Sequence, residues 1–114
     1  MYKFKIGGAT LTYNFSDANQ VEKFEKAFQA FAAAQDGVPK DAAASAQIRY
    51  ICGTVFDLFN RIFGSGTAEK VFGGSCDMEA CVAAASQLID AKNAADEEMG
   101  KRIQAMGAKY APKK

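Results

Sequence analysis

The chain has 114 residues, enough for one domain of ordinary size and too few for two. Fourteen basic and thirteen acidic residues leave a net charge of +1, so no global field draws nucleic acid or an anionic membrane. Histidine is absent, which removes the commonest general base and metal ligand and with them any Ser-His or Cys-His nucleophilic pair.

The first fifteen residues read as a β-hairpin. Tyr2, Phe4 and Ile6 alternate with Lys3 and Lys5, and after Gly7-Gly8 the alternation resumes with Leu11, Tyr13 and Phe15 against Thr10, Thr12 and Asn14. Glycine at both loop positions suits a primed turn. Two strands alone are marginal in water, so the apolar face must rest on the helices that follow.

Asp17, with Gln20 three residues on, resembles a capping box. Val21, Phe24, Phe28 and Phe31 then recur at helical spacing, with Glu22, Lys23, Glu25 and Lys26 on other faces. This helix is expected to fade through Ala32–Ala34 and stop at Asp36-Gly37, before Val38-Pro39 forbids continuation. A second helix, beginning near Asp41 or Ser45, carries apolar residues from Ile48 to Phe63 on too wide an arc for one surface stripe. It should be central, and Gly64-Ser65-Gly66 should end it. Thr67 is expected to cap a short helical turn carrying Val71 and Phe72, closed by Gly73-Gly74.

Asp77 or Ser75 caps the last helix, whose expected stripe is Met78, Cys81, Val82, Ala85, Leu88 and Ile89. Beyond Ala91 the pattern thins to Ala95, Met99, Ile103 and Met106, and Gly100 and Gly107 interrupt it at about 1 kcal/mol each relative to alanine. That distal segment either frays or completes its packing on another chain. The fold class is therefore α+β and mainly helical: one domain over 1–114, with a hairpin at 1–16, a helical core of about three main helices at 17–91, and a distal helix with a basic tail at 92–114.

Other patterns reduce to structure. Gly64-Ser65-Gly66-Thr67-Ala68-Glu69-Lys70 lacks the preceding strand, the longer glycine spacing and the Lys-Ser/Thr pair of a phosphate loop. Cys76 and Cys81 lack zinc-ligand spacing, Cys52 sits on an apolar stripe, and an odd cysteine count describes no disulfide framework. Glu22 with Glu25, and Asp96-Glu97-Glu98, lie on polar helix faces. Lys109, Lys113 and Lys114 read as a solubilising end. No signal peptide and no membrane-spanning run is visible, so a cytoplasmic location is expected. No catalytic residue, cofactor or metal site is expected. The candidate contacts for a protein partner are Leu11, Tyr13 and Phe15, as an open sheet edge, and Met99, Ile103 and Met106 on the distal helix.

Ile51-Cys52-x-x-Val55-Phe56-Asp57-x-Phe59, then Phe63-Gly64-x-Gly66-Thr67-Ala68-x-Lys70-x-Phe72-Gly73-Gly74, then Asp77-x-x-x-Cys81 resemble a family of small proteins. Phages and prophages of Gram-positive bacteria encode them among tail genes. The start Tyr2-Lys3-Phe4-Lys5-Ile6-Gly7-Gly8 fits the same family, and the resemblance extends to about Ala91. It implies a tail assembly chaperone, which coats the tape-measure protein, recruits tail-tube subunits, self-associates and is absent from the finished tail. A phage-encoded inhibitor of a host defence enzyme and a structural tail or connector subunit are the competing expectations. An apolar docking surface without catalytic chemistry suits all three.

Overall fold

The computed structural model describes residues 1–110. Strands β1 (Tyr2–Ile6) and β2 (Ala9–Tyr13) pair antiparallel, with Tyr2 opposite Tyr13 and Ile6 opposite Ala9. Of the two loop glycines only Gly7 takes positive φ, at 58°, the pattern of a type II′ turn. A Cβ on Gly7 would lie 2.6 Å from the Val71 carbonyl oxygen, so glycine is required by contact as well as by conformation.

Helix α1 (Ala18–Ala34) starts where the Asp17 carboxylate accepts a 3.0 Å hydrogen bond from the Gln20 amide. It runs into a 3-10 turn, Gln35–Gly37, and Val38 is extended ahead of Pro39. Helix α2 (Ala44–Phe63) begins without a side-chain cap, Ala43 standing at that position. The Gln47 side chain instead donates to the carbonyls of Pro39 and Lys40, tying the preceding loop to its first turn. Gly64, at φ 108°, ends the helix. Helix α3 (Thr67–Phe72) is short and closes at Gly73 in the left-handed region. The Gly8 amide reaches the Val71 carbonyl, so the hairpin turn rests on α3.

Helix α2 is central, lying against α1, α3 and the last helix, α4 (Met78–Tyr110). Cys52, Val55, Leu58, Phe59 and Ile62 are almost wholly enclosed. The hairpin closes one side of this core with Ile6, Leu11 and Tyr13. Tyr13 meets Phe24 at 6.1 Å and, edge-on, Phe63 at 5.4 Å between ring centres, while its hydroxyl donates to the Gln20 carbonyl at 2.7 Å.

Helix α4 is continuous through Gly100 and Gly107, and does not fray within the described residues. Its core-facing residues are Cys81, Ala84, Ala85, Leu88 and Ala91. Met78, Val82 and Ile89, which the sequence pattern places in the buried stripe, are instead exposed at 38%, 54% and 44%. Two stripes overlap at helical spacing here, and the one rich in small residues wins because it lets α4 approach α2 closely. The helix outruns the core after Ala95. The molecule measures 68 × 28 × 22 Å with a radius of gyration of 17.5 Å, against about 13 Å for a compact chain of this length. Lys113 and Lys114, the end of the expected basic tail, lie outside the described residues.

Candidate functional site

The six residues expected to touch a partner divide in two. Leu11, Tyr13 and Phe15 are enclosed, at 8%, 5% and 9% exposure, and belong to the core cluster. Placing them on an accessible surface is thus corrected: the apolar face of β2 is covered by this chain's own helices, because a two-stranded sheet needs such cover to persist. Met99 is half-buried, while Ile103 and Met106 are 57% and 58% exposed on α4.

Among the described residues, every exposed large apolar side chain except Met1 lies on α4: Met78, Val82, Ile89, Ile103, Met106 and Tyr110. Sequence reading found the distal members and missed Met78, Val82 and Ile89, since spacing alone does not say which side of a helix meets the core. Helix α4 also carries i,i+4 ion pairs. Lys92 bonds Asp96, Glu98 takes a 2.7 Å hydrogen bond from Arg102, and Glu97 stands 3.7 Å from Lys101. These pairs reinforce the helix beyond the core by a few tenths of a kcal/mol each.

Where the hairpin's open end meets α4, a cleft of about 120 Å³ forms between Tyr2, Phe15 and Ser16 on one wall and Ala95, Met99 and Arg102 on the other. Two broader, shallower depressions lie along α1 against α2. One is flanked by Glu22, Lys23, Lys26 and Arg61, and the other by Phe31, Arg49, Tyr50 and Asp57. All three are open surface features.

The fold gathers three cysteines that the sequence holds apart. Cys76 and Cys81 are neighbours of Cys52, whose thiol pKa is pushed up to about 12, chiefly by burial and then by those neighbours. Burial also raises Cys81, with the neighbouring Cys52 acting in the opposite sense. Thiols held protonated in this way are weak nucleophiles and weak metal ligands. No group of three or more Cys, Asp or Glu side chains that could hold a metal ion occurs among the described residues. Among the same residues no helix is long and apolar enough to cross a membrane.

No curated protein and no solved structure matches the chain. The model of a protein family of unknown function, DUF6673, matches residues 7–114. That match takes in the hairpin turn, all four helices and the apolar side of α4, and the chain belongs to this family.

Proposed function

We propose that this chain is a non-enzymatic protein-binding protein of the bacterial cytoplasm, and specifically a phage tail assembly chaperone that engages tape-measure and tail-tube proteins. The observation that carries the binding reading is the concentration of exposed apolar side chains on α4, which runs on past the end of the core. Isolated apolar residues on a surface are ordinary, but a line of them on one projecting helix is a docking element. The tail-specific part rests on the motif resemblance between Ile51 and Cys81 and on the Tyr2-to-Gly8 start. The missing histidine and the protonated core thiols support a role without catalysis.

A client of this kind is long and helical, and an apolar helix face is a suitable surface for it. The test is affinity capture of the tagged full chain from host cells induced for phage production, read by mass spectrometry. Recovery of tape-measure and tail-tube proteins, with the tagged chain missing from purified particles, supports the chaperone. Its retention in the particles points to a tail or connector subunit. Capture of a host defence enzyme without tail proteins points to an inhibitor.

A further inference from the structure

The apolar line on α4 has a period of seven. Val82, Ile89, Asp96, Ile103 and Tyr110 repeat at heptad spacing. Four residues before each stand Met78, Ala85, Lys92, Met99 and Met106. Together they form the two core positions of a coiled coil, sustained over the whole helix. Most of the seam is open: Val82, Ile89, Ile103, Met106 and Tyr110 are 44% to 78% exposed and Met78 38%, whereas Lys92 and Met99 are half-buried and Ala85, at 7%, is packed on this chain's own core. Only Lys92 and Asp96, at its middle, are charged, and they bond each other.

We infer that the seam is covered by a second copy of this chain, in an antiparallel two-helix coiled coil centred between Lys92 and Asp96. When α4 is laid against its own two-fold copy about that centre, each member of one series faces a member of the other. Val82 meets Met106, Ile89 meets the half-buried Met99, Tyr110 meets Met78, and Ile103 comes opposite the position of the enclosed Ala85. Lys92 faces Asp96 and Asp96 faces Lys92, so the four charges at the centre alternate in sign. A parallel pair would set Lys92 on Lys92 and Asp96 on Asp96, and a heptad slip would place these charges against apolar side chains. The charged layer thus selects both direction and register, as isolated polar residues at core positions do.

Side-chain packing follows the same register. Ala85 is turned to its own core, so Ile103 of the other copy rests on the exposed side chains of Val82 and Ile89 beside it. Ser86, Asn93, Gly100 and Gly107, which flank the seam on one side, are uncharged and mostly small, so helices can approach there. The two glycines weaken a solitary helix, and a helix projecting into water is marginal without packing. A pair along about 50 Å of helix has to bury on the order of 1,600 Å² in all to match specific dimers.

The inference deepens the protein-binding reading by naming one occupant of the apolar line. It is tested on the purified chain alone, so its failure is distinct from a failure to capture tail proteins. Light scattering on the full-length protein is expected to give twice the monomer mass. Asp96→Lys places four cations at the centre and should weaken association at least tenfold with helix content unchanged. The exchanged variant, Lys92→Asp with Asp96→Lys, should restore it. In a Cys76→Ser background, Ile89→Cys with Met99→Cys should oxidise to a covalent dimer, since within one chain the two thiols stand about 15 Å apart along the helix. Ile103→Cys alone should not, because its copies are about 27 Å apart in this register. A monomer at high concentration, failure of the charge exchange to restore association, or rapid self-linking by Ile103→Cys would each overturn the antiparallel pair.

Discussion

Strand β2 and the distal part of α4 carry apolar side chains at the right spacing for their elements, yet one is enclosed and the other is not. Leu11 and Tyr13 lie under 10% exposed, whereas Ile103 and Met106 exceed 50%. The difference lies in what stands opposite. β2 folds back over β1 beside α1 and α2, which supply Phe24 and Phe63 to its inner face. α4 is about 50 Å long, while the molecule's two shorter dimensions are 28 and 22 Å. Among the described residues, its last turns meet nothing else of their own chain. Periodicity shows that a face is apolar, and element length decides whether the same chain can cover it.

The largest expected effect breaks the enclosed side of this comparison. Tyr13→Ala removes a ring seated among Phe15, Phe24 and Phe63 and should cost about 3–5 kcal/mol in urea unfolding, the usual range for an aromatic-to-alanine change in a core. Tyr13→Phe separates the hydroxyl from the ring. It loses only the bond to the Gln20 carbonyl and should cost about 1 kcal/mol. A Tyr13→Ala loss below about 1 kcal/mol would mean that the hairpin is not part of the cooperative core.

Much of this fold is legible in the sequence because local chemistry and tertiary packing agree there. The hairpin alternation, the Asp17 cap, the wide apolar arc of α2 and the glycine stops at Gly64 and Gly73 each name their own structure. The rest depends on relations between distant elements. Ala84, Ala85 and Ala91 face the core because α2 lies close by, which no window of α4 alone reveals. Cys52 meets Cys76 and Cys81 only once α2 and α4 are side by side. The start of α2 carries no cap signal, since the Gln47 side chain secures it from within. Of the candidate site, Ile103 and Met106 were readable as weakly patterned residues beyond the last large core side chain. The enclosure of Leu11, Tyr13 and Phe15 was readable too, since two strands need cover for their apolar face, and it conflicts with offering the same side chains to a partner.

Alkaline titration sharpens the contrast between the core and the projecting helix. Cys52 has an ordinary pKa of 9.0 when unfolded and about 12 in the fold, and Cys81 and Tyr13 are raised as well, all chiefly by burial. The unfolded chain therefore loses these protons first. Stability contributed by keeping them is intact below pH 9 and falls as pH rises from 9 towards 12. The urea midpoint should drop over that range, and Cys52→Val should flatten the decline. A midpoint independent of pH from 8 to 11 would show that the thiol is not enclosed in solution. Next in size is the junction between hairpin and helix. Asp17→Ala removes the bond to the Gln20 amide and should cost about 1 kcal/mol, read in the same unfolding assay, with Asp17→Asn retaining most of it.

The smallest effect belongs to the open face. In the isolated monomer Ile103 touches little, so Ile103→Ala should change stability by less than about 0.5 kcal/mol when unfolding is followed at high dilution. Burial in a second chain alters that value with concentration, because association stabilises only the folded form. The wild-type midpoint should then rise with protein concentration, while the Ile103→Ala midpoint should rise less over the same range. Tyr13→Ala has no reason to behave in this way, since its partners all lie in one chain. A concentration-dependent difference for Ile103 and a constant one for Tyr13 would separate the face that finishes its packing elsewhere from the face that does not. Equal, concentration-independent differences would place Ile103 on ordinary solvated surface.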